Sequence, residues 1–80
     1  MLVPLYGFVE GDTMGVLVLT SPDMSLAQVQ QTLSESASLR VDPEGSWCLV
    51  AGERQLPPEL TVADVGLTAL SRIDLKRRST

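Results

Sequence analysis

The stretch LVPLYGFVEGDTMGVLVLTSPDMSLAQVQQTLSESAS, residues 2–38, contains two strand patterns followed by one helix pattern. Residues 2–9 and 14–20 are rich in β-branched and aromatic side chains, and the Gly-containing segment between them is typical of a turn. The pattern therefore predicts a β-hairpin. Its second strand is apolar on both faces, so we expect one face to lie on the core and the other to be lightly exposed or docked.

An amphipathic helix is expected next. Pro22 and the polar residues around it end the second strand, and Ser25 with Gln28 three residues later matches a capping box. Apolar residues then recur at helical spacing, at Leu26, Val29, Leu33 and Ala37. This spacing predicts a helix over residues 26–38 that packs one stripe against the sheet.

The second half of the chain supplies further strands. A third strand is predicted over residues 46–50, a short strand near Gln55 and Leu56, and a last strand over residues 72–75. Thr61 and Asp64 repeat the capping pattern, with Gly66 as its stop, and predict a one-turn helix.

A hairpin, a crossover helix and a final strand beside the first give an α+β protein of the β-grasp type. We expect a four- or five-stranded mixed sheet packed on one helix, with the domain over residues 1–76 and a basic tail over residues 77–80. Pro4 conflicts with a central first strand because it cannot donate to a ladder, so a bulge or a late strand start is expected there.

Composition limits the function. The chain has 80 residues, a formal charge of −4 with scattered acidic residues, and one cysteine. Scattered acidic residues do not form a nucleic-acid surface, no apolar run is long enough to span a bilayer, and the N-terminus lacks the pattern of a secretory signal. We therefore expect a cytoplasmic protein that binds neither nucleic acid nor membrane.

Catalytic, cofactor and metal sites are not predicted. The sequence has no histidine, which is the commonest general base and metal ligand. Cys48 lies within a strand with no histidine to activate it and is interpreted as a buried small hydrophobe. The carboxylate pairs Glu10/Asp12 and Asp42/Glu44 flank Gly-containing turns, where solvated acids are common.

The function is therefore expected to lie in a protein-binding surface. Trp47 could be a binding anchor or a core residue, and the sequence leaves both open. The candidate residues come from the hairpin and the third strand and are Tyr6, Phe8, Val16, Val18, Trp47 and Leu49.

Residues 49–56, 60–67 and 73–75 resemble the C-terminal half of ubiquitin. Ubiquitin-type modifiers end in Gly-Gly, whereas this chain ends Arg77-Arg78-Ser79-Thr80, so conjugation is not expected.

A second resemblance extends over nearly the whole chain and is carried by Gln28-Val29, Ile73-Asp74 and the segments 40–45 and 61–67. In their order and spacing these residues resemble the small protein B of bacterial toluene-4-monooxygenase systems. That resemblance implies a non-catalytic, gamma-type accessory subunit of a diiron monooxygenase acting on aromatic hydrocarbons. It would dock on the hydroxylase large subunit, which holds the iron, and would carry no cofactor itself.

An alternative comes from residues 43–47, which are similar to a loop of ubiquitin-like proteins linked to type VII secretion. The alternative function is a stand-alone ubiquitin-like adaptor or modifier. Likeness of fold does not separate these possibilities.

Overall fold

The computed structural model describes residues 2–37 and 46–77. In chain order the elements are β1 (Val3–Val9), β2 (Gly15–Thr20), α1 (Leu26–Ser36), β3 (Trp47–Ala51), β4 (Arg54–Leu56) and β5 (Arg72–Arg77). The strands form one sheet in the order β2-β1-β5-β3-β4, in which β1 and β5 are parallel and the other pairs are antiparallel. The predicted α+β, ubiquitin-like β-grasp is confirmed, with five strands.

The hairpin forms as predicted. Its register is continuous from Val3 opposite Thr20 to Phe8 opposite Gly15. Gly11 takes a φ of 91°, which suits glycine, and the Asp12 N–H donates to the Val9 carbonyl at 2.9 Å. The turn is thus closed by local hydrogen bonds.

Pro4 is accommodated without the bulge that the sequence suggested. It lies inside β1, and its carbonyl accepts the N–H of Leu70 on the β5 side. Because the N and C=O of a strand residue point the same way, the missing N–H of Pro4 also faces that side. Pairing with β5 begins only at Tyr6 opposite Arg72, so no ladder bond is lost.

Helix α1 begins with the predicted capping box. The Gln28 N–H donates to Ser25 Oγ at 3.2 Å, and the Ser25 N–H donates to Gln28 Oε1 at 3.1 Å. The helix ends at Ser36, and the Ala37 N–H caps it by donating to the Leu33 carbonyl at 3.2 Å. It is therefore shorter than expected, and residue 38 lies outside the described residues.

The hydrophobic core lies between α1 and the inner face of the sheet. The buried apolar residues are Val3, Leu5, Val9, Val18, Leu26, Val29, Leu33, Ala37, Leu49, Leu56, Val62, Ile73 and Leu75. Thr20 is also buried, and its hydroxyl donates to the Val3 carbonyl at 2.7 Å. This hydrogen bond satisfies the hydroxyl inside the core.

The second half differs from expectation at its boundaries. Thr61 and Asp64 exchange the predicted capping bonds, at 3.0 and 3.1 Å, but the following residues form consecutive turns rather than a helix before Gly66 at φ 73°. Strand β3 lies one residue later than predicted. Arg77, assigned from sequence to the tail, is the last residue of β5, and residues 78–80 lie outside the described part.

Candidate protein-binding surface

The outer face of the sheet, opposite α1, carries exposed apolar side chains on β1 and β2. Tyr6 is paired with Leu17, and Pro4 with Leu19. The exposed fractions are 47% for Tyr6, 54% for Leu17 and 60% for Leu19. We call these four residues the outer apolar patch. Adjacent apolar side chains that remain exposed are typical of a surface that binds another protein.

Leu70 lies next to Pro4 on the β5 side. Its N–H donates to the Pro4 carbonyl, and its side chain is 59% exposed. Leu70 is also the one residue other than glycine with a positive φ, 65°, in the described part of the chain. A left-handed conformation costs a leucine about 1 kcal/mol. The backbone of Leu70 is thus held next to Pro4 at an energetic cost, with its apolar side chain exposed.

A charged stripe on β5 borders the patch. The Arg72 guanidinium carbon lies 4.3 Å from the centroid of the Phe8 ring, and Arg72 also pairs with Asp74 at 3.2 Å. Phe8 is half-buried as a result, although it points to the same face as Tyr6. The outer face therefore changes from apolar on β2 to charged on β5.

The six candidate residues do not share one surface. Tyr6 and Phe8 lie on the outer face, but Val18 and Leu49 are 2% and 1% exposed and belong to the core. Val16 is half-buried and packs against the same core. The side chains of Val16, Val18 and Leu49 all point toward α1. The exposed positions of β2 are instead Leu17 and Leu19.

Trp47 lies on the helix side of β3, away from the patch. It is half-buried and packs against the core, and the Arg77 guanidinium carbon lies 4.3 Å from its ring centroid. Gln30 Nε2 donates to the Trp47 carbonyl at 3.4 Å. An open cavity of about 530 Å³ runs here between α1 and the strands β3 and β4. Trp47 thus combines core packing with partial exposure.

Cys48 is not buried as expected. It is half-buried and lies opposite Lys76, on strand positions that alternate with the core residues Leu49 and Leu75. Alternation thus places the Cys48 side chain on the outer face of the sheet.

The acidic residues of the hairpin turn have structural contacts. Glu10 Oε2 accepts the N–H of Arg77 at 2.7 Å, and Asp12 Oδ1 accepts the N–H of Met14 at 3.3 Å. The pair Asp42/Glu44 lies outside the described residues. Within the described ranges, no group of three or more Cys, Asp or Glu residues is placed to hold a metal ion.

One carboxyl group beyond β2 has a shifted pKa. The Ser21 hydroxyl donates to Asp23 Oδ1 at 2.7 Å. This bond, together with the backbone N–H of Asp23 itself, holds the pKa of Asp23 below its ordinary value of 3.8. Asp23 is therefore negatively charged at neutral pH.

Among the helices in the described ranges, none has the length and apolar character needed to cross a membrane.

Comparison with solved structures shows a ubiquitin-like fold. A chain of the toluene 4-monooxygenase HD complex with the inhibitor 4-bromobenzoate matches with a TM-score of 0.87 and 24% identity, over 98% of this chain and 100% of that chain. Ubiquitin from Caldiarchaeum subterraneum matches with 0.77 and 15%, over 100% and 98%. The UBL domain of Plasmodium falciparum Dsk2 matches with 0.80 and 15%, over 98% and 100%.

At these identities the likeness establishes the fold, and the predicted resemblance to a toluene monooxygenase component is confirmed at that level. No protein-family model matches the sequence, and no curated protein matches it.

Proposed function

We propose that this chain is a non-catalytic, gamma-type accessory subunit of a multicomponent diiron monooxygenase that acts on aromatic hydrocarbons. The observation that carries the proposal is the match, over 98% of this chain and the whole of the other, to a component of the toluene 4-monooxygenase HD complex. The match extends over the whole of this domain rather than over a part of it.

The outer apolar patch is the surface we assign to docking on the hydroxylase large subunit. A protein that works by binding needs an apolar area bordered by polar groups. Tyr6, Leu17 and Leu19 supply the apolar area, and the Arg72–Asp74 pair supplies a charged border. In this role the iron and the oxygen chemistry belong to the partner.

Affinity purification tests the proposal. The chain carries an N-terminal tag, is expressed in its host and is purified under mild washing, and the co-purifying proteins and iron are measured. We expect a large iron-containing subunit in equal amount. A double variant, Leu17→Ser with Leu19→Ser, should reduce recovery of that subunit about tenfold or more. Leucine side chains that the partner buries at the centre of an interface contribute to the binding free energy, and the serines lose that contribution.

Gln31→Ser is the matched control, because Gln31 is exposed on α1, on the opposite side of the sheet. It should leave recovery unchanged. An iron-free assembly, secretion components or covalent adducts of this chain would contradict the proposal and favour the adaptor or modifier, whose fold the ubiquitin and Dsk2 matches share.

A further inference from the structure

Strand β2 is an edge of the sheet that carries none of the usual protection. Residues 13–21 contain no charged residue and no proline. Natural sheets shield exposed edges with charges, prolines, bulges or short strands, because an open edge pairs with other chains. The β2 edge is six residues long, follows a continuous register, and has Leu17 and Leu19 exposed.

The backbone groups that this edge offers can be identified from the register. Pro4 and Tyr6 direct their backbone hydrogen bonds to the β5 side, where the Leu70 N–H donates to Pro4 and the Tyr6 N–H donates to Ser71. In an antiparallel ladder, the residues opposite them therefore point their own groups away from β1. Leu17 and Leu19 are these residues, so their N–H and C=O groups face outward along the edge.

The opposite edge of the same sheet is protected. Strand β4 has only three residues, begins with Arg54 and is followed directly by Pro57 and Pro58. Its short length, its charge and the prolines all prevent a further strand from pairing. Of the two edges of the sheet, β2 is therefore the one that can pair with a further strand.

We infer that β2 accepts an extended segment of a partner protein as a sixth strand, and that this segment is apolar, about six residues long and flanked at both ends by lysine or arginine. The charge of the flanks follows from the acidic residues beside β2. Asp12 precedes the strand, and Asp23 follows it. Uncharged β2 matches an apolar segment, and the acidic ends match basic flanks.

A second copy of this chain fits the edge poorly. Antiparallel pairing of β2 with β2 would bring Asp12 of one copy toward Asp23 of the other at both ends of the pair. Asp23 is ionised at neutral pH, because even the ordinary pKa of its carboxyl group, 3.8, lies well below 7. Like charges placed opposite each other oppose association, whereas basic flanks are attracted to the same positions.

This inference deepens the proposed docking role and rests on it for the identity of the partner. The added strand would place alternate side chains beside Leu17 and Leu19 and so enlarge the outer apolar patch. The same partner could then cover the face and pair with the edge.

A defined peptide tests the edge directly. The probe has six alternating valine and threonine residues flanked by two lysines at each end, and the control peptide has glutamates in place of the lysines. With the lysine peptide, amide hydrogen exchange followed by NMR should slow about tenfold or more at Leu17 and Leu19. Exchange at Val16 and Val18, whose amides face β1, should change little. The glutamate peptide should bind about tenfold more weakly at low salt.

Two variants separate the backbone donor from the side chain. Leu17→Thr removes the leucine side chain and keeps the N–H, whereas Leu17→Pro also removes the N–H, at an edge position where proline is tolerated. Leu17→Pro should bind the lysine peptide about tenfold more weakly than Leu17→Thr, as expected for one lost hydrogen bond. If circular dichroism shows that Leu17→Pro is unfolded, a synthetic chain with N-methyl leucine at position 17 replaces it.

Unchanged exchange at Leu17 and Leu19 with the peptide at millimolar concentration would overturn the inference. A wild-type dimer in sedimentation that Leu17→Pro abolishes would also overturn it, because the occupant would be a second copy. If the monooxygenase subunit co-purifies equally with Leu17→Thr and Leu17→Pro, the backbone donor is not used, so the edge inference fails and the proposed function stands. If the peptide protects the edge but no monooxygenase subunit co-purifies, the proposed function fails and the edge inference stands.

Discussion

At the scale of single residues, Gly7 shows how closely the helix approaches the sheet. A Cβ at this position would lie 2.2 Å from Leu33 Cδ2 and 3.1 Å from Leu33 Cγ. Leu33 is fully buried on α1, in a core where side chains are closely packed. We expect Gly7→Ala to lower the free energy of unfolding by about 1–3 kcal/mol, as overpacked cores do, measured by urea denaturation.

The control for Gly7 is a double-mutant cycle with Leu33→Ala. Leu33→Ala alone should destabilise by about 2–5 kcal/mol through the cavity that it leaves. In that background Gly7→Ala should be neutral or stabilising, because the added methyl group enters the cavity. Additive losses from the two changes would show that the contact with Leu33 is not the cause.

The pKa of Asp23 gives a second prediction at this scale. Its lowered folded-state pKa contributes stability above the unfolded-state value near 3.8, and this contribution is lost as the pH falls through the folded-state pKa. Ser21→Ala removes the first cause of the shift, so the pKa of Asp23 should rise toward its ordinary value, as followed by NMR titration. The stability deficit of the variant should be present at pH 7 and vanish in strong acid. Ser71→Ala, which loses a hydroxyl bonded to Thr68, should leave the Asp23 pKa unchanged.

At the scale of elements, β2 shows what the sequence could and could not predict. The hairpin, the capping box and the succession of strands and helix along the chain followed from turn residues, capping residues and periodicity. The face of β2 did not, because a strand with apolar residues at every position except its ends carries no alternation. Thr20 points into the core with Val18, since its hydroxyl is satisfied by the Val3 carbonyl. The outward set, Leu17 and Leu19, became apparent only from the register with β1.

Adjacent substitutions in β2 test this assignment. Val18→Ala should lower the free energy of unfolding by about 2 kcal/mol, because a buried side chain is truncated. Leu17→Ala removes a larger side chain but should change stability by less than about 0.5 kcal/mol, because that side chain is exposed. Thermal or urea denaturation of the two variants measures the difference. Equal losses, or a larger loss for Leu17→Ala, would mean that the two faces are exchanged.

At the scale of the whole molecule, β5 joins the two halves of the chain. The β-grasp plan correctly predicted β5 beside β1. Its pairing with β3 on the other side was not predicted, because it depends on contacts far apart in sequence. Trp47 illustrates the limit for the surface. Its type and position suggested both a core residue and an anchor, and the structure shows that it packs half-buried against the core beside Arg77. Its role as an anchor stays a prediction.

Removal of β5 should therefore unfold the whole domain, and not only remove one strand from it. A chain ending at Ser71 loses the buried Ile73 and Leu75 and both ladders that hold β1 and β3 together. What remains is a two-stranded hairpin with α1 and a separate short pair, β3 with β4, and isolated two-stranded units are at best marginally stable in water. We expect no cooperative thermal transition by circular dichroism for this chain. A chain ending at Arg77 keeps every strand, including the Arg77 N–H bond to Glu10, and should unfold cooperatively near the wild-type temperature. Cooperative unfolding of the chain ending at Ser71 would show instead that β1, β2 and α1 form an independent folding unit.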